Sequence, residues 1–298
     1  MLLLNYKKKK KKKASGKSNQ EVTLAVLQSF LTAANTALSP FDFTIRTLPS
    51  QTTPAAPGAP RTTYYVLTNI TSDSLVQVAT THSAEEIAFF RRLLDCMFET
   101  NNTPRLELCA VRSMDAVKLH KPRPGDLLLL PLPSQLESGG GGGGGGSDPD
   151  AGPSSSTQQA ATQQATTSTA GLSMKEAELA LRAFVTEGWL ELSPTGWYTL
   201  SPRSIAELQQ YLLDTYNIPD EEGVPIDRVK SCHGCKELLT IGQRCENLDC
   251  PIRLHDACTE GFFRMSRQRK CPSCGGDWEG NKFVGERAAK GKTRTQTT

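Results

Sequence analysis

The stretch from Cys232 to Cys274, CHGCKELLTIGQRCENLDCPIRLHDACTEGFFRMSRQRKCPSC, gathers seven of the chain's nine cysteines at short, fixed intervals, with His255 spaced among them as an eighth donor. As ligands it reads Cys232-x2-Cys235, Cys245-x4-Cys250, His255-x2-Cys258 and Cys271-x2-Cys274. Thiolate sulfur and imidazole nitrogen are the donors that a tetrahedral structural zinc prefers, and eight of them fill two closed sites. Two ligands separated by two residues can turn a short knuckle so that both reach one ion. A segment this short has too little apolar surface for a core of its own, so metal binding would supply folding free energy on the order of 10 kcal/mol or more per site. A disulfide cluster and scattered buried thiols are the competing readings, and the start of the chain argues against them because it lacks the pattern of a secretory signal and Cys/His knuckles in an intracellular chain normally mean metal.

Working outward, 298 residues suit two to three domains, with ample length for at least one ordinary core besides the zinc module. The formal charge of +3 conceals an uneven distribution, since seven of the 34 basic residues form the unbroken run Lys7 to Lys13. Without that run, 27 basic residues face 31 acidic ones, so the body of the chain is mildly acidic. That balance disfavours a nucleic-acid platform and leaves any contact with DNA weak or indirect. The lysine run fits a nuclear-import or nucleic-acid tail and equally a solvated disordered tail. No apolar stretch approaches the length needed to cross a bilayer, and Met1 to Leu4 is too short for a signal core, so the reading is a soluble intracellular protein without a membrane role.

Apolar residues recur at helical spacing from Val22 to Leu38, with Val22, Val26 and Phe30 beside Leu27, Leu31 and Ala34, and Ser39-Pro40 ends the pattern. Phe41 to Thr47 alternates as a strand, Pro49 to Pro60 reads as a loop, and Tyr64 to Asn69 as a returning strand. A helix followed by a long hairpin is the second half of a winged helix, so residues 21–70 read as a truncated first winged helix after a disordered tail over 1–20. Ser83-Ala84-Glu85-Glu86 is a capping box that opens a helix from Ala84 to Phe98, with Ile87, Phe90, Leu94 and Phe98 on its apolar stripe. Leu106 to Val111 reads as a short strand or turn, followed by a helix from Ser113 to Leu119. Cys96 and Cys109 have no partner at metal spacing and read as small buried apolar residues.

Residues 122–171 pass through eight consecutive glycines, Gly139 to Gly146, into a Ser/Thr/Gln/Ala tract that cannot offset its ordering entropy and reads as disordered. Ser173-Met174-Lys175-Glu176 is a second capping box, heading a helix with Ala177, Ala180, Leu181, Phe184 and Val185 inward and Gly188 as its stop. Trp189 to Leu192 and Trp197 to Leu200 make a hairpin, after which Ser201 caps a helix carrying Ile205, Leu208 and Leu212. Residues 83–216 therefore read as a second winged helix split by the insert. Its would-be recognition helix carries Glu176, Glu178 and Glu187 against Lys175 and Arg182, which favours protein docking over groove reading. Residues 217–229 read as an acidic linker, 230–279 as the zinc domain, and 280–298 as a disordered basic tail.

Two families share the order of four cysteines, one histidine and three cysteines: the RING-type ubiquitin ligases and the PHD fingers that read histone tails. Resemblance to either implies a cross-brace, with Cys232, Cys235, His255 and Cys258 on the first zinc and Cys245, Cys250, Cys271 and Cys274 on the second. Pairing of successive knuckles, as in LIM domains, is the alternative. A PHD finger usually has tryptophan two residues before the seventh ligand, where this chain has Arg269. The knuckle Cys271-Pro272-Ser273-Cys274 has the Cys-Pro-x-Cys form typical of RING domains.

The whole arrangement resembles the non-SMC element 1 family, subunits of the complex of structural maintenance of chromosomes 5 and 6. The block Thr63 to Asn69, the helix from Ser83 to Phe98, the turn Glu187-Gly188-Trp189-Leu190 and the terminal module ending in Trp278 carry the resemblance. It implies an α+β fold of tandem winged helices followed by a RING-like domain. It also implies docking of a MAGE-type partner and a kleisin, and a nuclear, chromosome-associated role in DNA repair as an E3 ubiquitin ligase. In a RING domain no side chain is catalytic. Instead the domain positions an E2 whose thioester-linked ubiquitin is attacked by a lysine. By position, the E2-contact candidates are Gly234, Phe262, Phe263 and Pro272. Gly234 replaces a branched apolar residue common in active RINGs, and Gly275 stands where a basic residue often follows the eighth ligand. Both departures point to weak autonomous activity that depends on the partner and keep a non-catalytic zinc scaffold open, while the shared ligand order keeps a PHD-like histone reader as an alternative.

Overall fold

The computed structural model describes residues 24–54, 59–70, 78, 81–122, 171–219 and 222–290. The lysine run, the glycine tract and the last residues of the basic tail lie outside them. Among the described residues, no helix is long and apolar enough to cross a membrane.

Helix α1, Leu24–Leu38, leads through the turn Ser39–Phe41 into strand β1, Phe43–Pro49, which pairs antiparallel with β2, Thr63–Asn69, from Phe43 opposite Asn69 to Pro49 opposite Thr63. Asn35 ties helix to hairpin, its Oδ1 accepting from the backbone N of Ile45 at 2.7 Å. Leu27, Leu31, Ala34 and Leu38 form the half-covered stripe that faces the hairpin. Of the other expected apolar row, Val22 lies outside the described residues, and Val26 at 54% and Phe30 at 67% are exposed, because the hairpin covers one face of the helix alone. Strand β1 also starts and ends two residues later than expected, and Phe41 lies exposed in the preceding turn.

Both capping boxes form. Ser83 accepts from the backbone N of Glu86 while Glu86 accepts from that of Ser83, and Ser173 and Glu176 do the same. They satisfy backbone donors that the first helical turn leaves open. Helix α2, Ala84–Asp95, runs into a wider π turn over Cys96–Thr100, and its buried side is Phe89, Phe90, Leu93 and Leu94, with Ile87 only partly covered. Strands β3, Asn102–Thr103, and β4, Leu106–Glu107, make a small hairpin before β5, Val111–Arg112, and α3, Ser113–Lys118. Helix α4, Met174–Thr186, buries Ala177, Ala180, Leu181 and Phe184, while Val185 is half-buried. Gly188, at φ 78°, turns the chain into β6, Leu190–Leu192, and β7, Trp197–Leu200, and β5 joins the far edge of β7. Phe89, Phe90, Phe184 and Trp189 pack as one aromatic core, with ring centroids 4.9 to 6.5 Å apart.

The helix after Ser201 is divided at Leu208 into α5, Pro202–Glu207, and α6, Gln209–Tyr216. Arg46 of β1 bonds the Ala206 carbonyl and Gln209 here, joining the first hairpin to the second unit. The insert leaves at Pro122 and returns at Gly171, where a Cβ would lie 2.5 Å from both His120 O and Pro122 Cδ. Only glycine permits that approach, so the insert departs from and re-enters one point of the fold. The ends of the acidic linker are likewise clamped, with Asn217 accepting from the backbone N of Arg228 and Val229.

The terminal module is a three-stranded sheet in which β8, Gly242–Arg244, lies between β9, Arg253–Leu254, and β10, Phe283–Val284. Helix α7, Asp256–Ser266, follows β9, and α8, Arg287–Lys290, closes the described chain. This corrects the expected disorder of 280–298 over residues 280–290, while 291–298 lie outside the described residues. Phe283 and Val284 pair with Gln243 and Gly242, Val284 is buried, and Gly285 donates to the Glu107 carbonyl, so the ordered domain runs past Trp278.

Candidate metal centre

The topology of the terminal module brings the eight expected ligands together in two interleaved groups. Cys232, Cys235, His255 and Cys258 form one and Cys245, Cys250, Cys271 and Cys274 the other, with the donor atoms of each within 4.8 Å of one another. The pairing is crossed, which excludes pairing of successive knuckles. Cys96 and Cys109 stand apart from both groups and are buried, and burial pushes the Cys109 thiol up to about 12.

The donor geometry fits zinc. In the second group, Cys245 Sγ lies 3.4 Å from Cys274 Sγ and Cys250 Sγ 3.4 Å from Cys271 Sγ. Sulfurs placed tetrahedrally about 2.3 Å from one ion are about 3.8 Å apart, close to these separations. In the first group His255 Nδ1 faces Cys235 Sγ at 3.2 Å, while Nε2 lies 3.1 Å from the Leu238 carbonyl. A proton on Nε2 donated to that carbonyl leaves Nδ1 for the metal, and such a bond orients a ligating imidazole. Two zinc ions are therefore the cofactors of this module.

The proton inventory fits the same chemistry. Hydrogen bonds from Cys235 and Cys258 drive the Cys232 thiol far below its ordinary value, making it the preferred thiolate of the first group. Burial lowers the His255 pKa, but the sulfurs of Cys232 and Cys258 outweigh it and raise the imidazole to about 9. In the second group burial pushes Cys245 up to about 12, while the Gly276 backbone N–H and the Cys245 side chain bring Cys274 down to about 7. Zinc binding must displace the remaining protons, so acid opposes it.

The module is bonded into the body of the protein. Glu107 on β4, 4% exposed, receives both arms of Arg253, at 2.7 and 2.6 Å, with Arg244 at 3.3 Å and Lys230 at 3.7 Å. Burial raises the pKa of this carboxyl, but the bonds and charges of Arg253, Arg244 and Lys230 prevail and hold it below its usual range. On the amino-terminal hairpin, Gln51 Oε1 accepts from the backbone N of Thr240 and Ile241, and the Gln51 carbonyl accepts from Ala257 N. Sequence reading missed Glu107 and Gln51, because no local pattern announces a contact across more than a hundred residues.

Three of the four candidate E2-contact residues reach the surface. Gly234 and Pro272 are exposed, and Phe262 is half-buried with its ring edge-on to His233. Phe263 does not. At 5% exposure, with its ring 5.5 Å from that of Trp278, it belongs to the packing beneath the zinc loops. A Cβ on Gly234 would meet only ordinary contacts, the nearest at 3.5 Å, so the missing side chain is not a steric demand of the fold. Gly275, at φ 71°, occupies a conformation that a side-chain-bearing residue adopts only with strain. Arg269 is exposed and paired with Glu260.

Residues 2–208 match the family described as Nse1 non-SMC component of SMC5-6 complex, and residues 232–274 match the RING-like domain. Over 104 residues the chain is 39% identical to the non-structural maintenance of chromosomes element 1 homolog of Bos taurus and 38% identical to that of Homo sapiens. Each match covers 35% of this chain and 35% of the relative. The Xenopus laevis homolog is 36% identical over 107 residues, so the chain spans about a third of the length of the curated relatives it matches. Among solved structures, a chain of an Nse1-Nse3-Nse4 complex superposes with a TM-score of 0.53 and 23% identity, covering 85% of this chain and 79% of that one, a likeness of fold.

Proposed function

The chain belongs to the Nse1 family of non-SMC components of the SMC5-6 complex, and on that premise we propose that it acts as a RING-type E3 ubiquitin ligase subunit in DNA repair and chromosome maintenance. The observation that carries this reading is the exposed Pro272 on the Cys-Pro-x-Cys knuckle of a crossed two-zinc module that matches the RING-like domain. The eight cysteine and histidine residues hold the two ions, and the ions fix the loops that present Gly234, Phe262 and Pro272. No side chain takes part in covalent chemistry. The module holds an E2 so that its ubiquitin thioester meets a substrate lysine in an oriented encounter, which is catalysis by positioning.

The solved structure that this fold is similar to is a complex of Nse1 with Nse3 and Nse4. In this reading the corresponding MAGE-type and kleisin subunits dock on the winged-helix region upstream, at a chromosome in the nucleus. A purified complex with those partners and an E2 should build ubiquitin chains, and Cys274→Ala should abolish them. Chain formation unchanged by Cys274→Ala would overturn the reading. Gly234 and Gly275, which offer no side chains to the E2 and ubiquitin, favour a second reading in which zinc shapes a docking surface only. Under it, deleting the module impairs complex assembly and no E2 binds.

A further inference from the structure

The loop between β1 and β2 belongs to the amino-terminal hairpin, yet one of its side chains reaches a ligand of the first metal group and another reaches the backbone that orients a second ligand. Arg61 Nη1 points at Cys258 Sγ, 3.5 Å away, while its Nε is anchored on the Ser50 carbonyl at 2.8 Å. Its remaining nitrogen, Nη2, is buried and has no hydrogen-bond partner among the described residues. A cation so placed needs a compensating negative charge. A zinc held by three thiolates and a neutral imidazole has a net charge of about −1, which supplies it.

Gln51 acts on the histidine. Its Nε2 donates to the Leu238 carbonyl at 3.1 Å, the same oxygen that lies 3.1 Å from His255 Nε2. Its Oε1 holds the nearby backbone through Thr240 N at 2.9 Å and Ile241 N at 2.8 Å. The carbonyl that orients the imidazole is thus fixed from a segment 187 positions away. The second metal group has different surroundings, with Arg244 as a charge neighbour of Cys245 and Cys250 from inside the module.

We infer that Gln51 and Arg61 are positioning residues for the first zinc, so that the amino-terminal hairpin completes that site and leaves the second untouched. Groups that orient metal ligands typically control metal affinity about 10- to 100-fold. Because His233 directly follows the ligand Cys232 and its ring meets that of Phe262, the first metal would also steady that part of the proposed E2 surface.

The test is zinc release from the full chain into excess chromophoric chelator, with cobalt-loaded protein identifying the sites by their three-sulfur, one-nitrogen and four-sulfur spectra. Arg61→Ala and Gln51→Ala should each speed loss of the metal from the mixed site about tenfold or more, leave the four-sulfur site at its wild-type rate, and be partly rescued by Arg61→Lys at the arginine position. Wild-type rates at both sites in Arg61→Ala and Gln51→Ala, or equal acceleration of both sites, would overturn the inference. If Arg61→Ala does not fold, Gln51→Ala decides on the same readout. The inference rests on the two-zinc reading alone. A wild-type chain holding other than two zinc ions would fail that reading, while loss of ubiquitin transfer would bear on neither rate.

Discussion

The two metal groups share a ligand chemistry but not a setting. The first lies against the rest of the protein, with His255 buried, Cys258 touched by Arg61, and the Leu238–Ile241 loop held by Gln51. The second ends at the surface, where Pro272, Ser273 and Cys274 are exposed. One ion therefore joins the module to the body and the other shapes a face that a partner can reach. The buried Glu107 cluster strengthens the joint, since four charged side chains from both sides of it meet there.

Removing ligands should break this contrast most strongly. Cys232→Ala and Cys274→Ala should each cost metal-linked folding free energy on the order of 10 kcal/mol, read as loss of one zinc and of order in the loops that this zinc holds. Only Cys232→Ala should also raise hydrogen exchange in the β1–β2 hairpin. Equal exchange there in both variants would erase the distinction between the sites.

Next in size is the joint itself. Glu107→Ala leaves Arg253 and Arg244 buried without their carboxylate, at a cost of about 3–5 kcal/mol at neutral pH in chemical denaturation. The sign with pH follows from the lowered pKa of Glu107. Its stabilisation is complete above the ordinary carboxylate range and is lost as pH falls through the lower folded value. The stability gap between wild type and Glu107→Ala should therefore narrow in acid, and a gap independent of pH would show that the carboxylate charge does not hold the joint.

The smallest stability effect is expected at the outer face. Pro272→Ala should change stability by no more than about 0.5 kcal/mol, because the residue is exposed, while abolishing ubiquitin transfer. A large loss of stability would show that Pro272 supports the knuckle instead of a partner.

Legibility in the sequence followed range. Knuckles such as Cys232-x2-Cys235 and capping boxes such as Ser83 to Glu86 close within a few residues, so both can be read locally, and the crossed pairing came with the family resemblance. The Glu107–Arg253 pair could not be read, because Glu107 sits between Leu106 and Leu108 like an outward residue of a strand and its partner is 146 positions away. Gln51 and Arg61 lie in and beside a Pro/Ala/Thr loop that looks like a plain connection. The ordered end of the chain did leave a signal, since Phe283 and Val284 stand between Gly280 and Gly285 as an apolar pair that needs a strand to cover it. Helix α1 shows the opposite error, in which apolar periodicity predicted burial on two rows and the hairpin covers one.

The most direct test of the central claim is the discharge of an E2 preloaded with ubiquitin onto free lysine, in the presence of the zinc-loaded chain assembled with the proposed MAGE-type and kleisin partners. Wild type should accelerate discharge, while Pro272→Ala with both zinc ions retained should not. Discharge at the unassisted rate with wild type, or equal acceleration by Pro272→Ala, would contradict a RING-type ligase built on the outer face of this module.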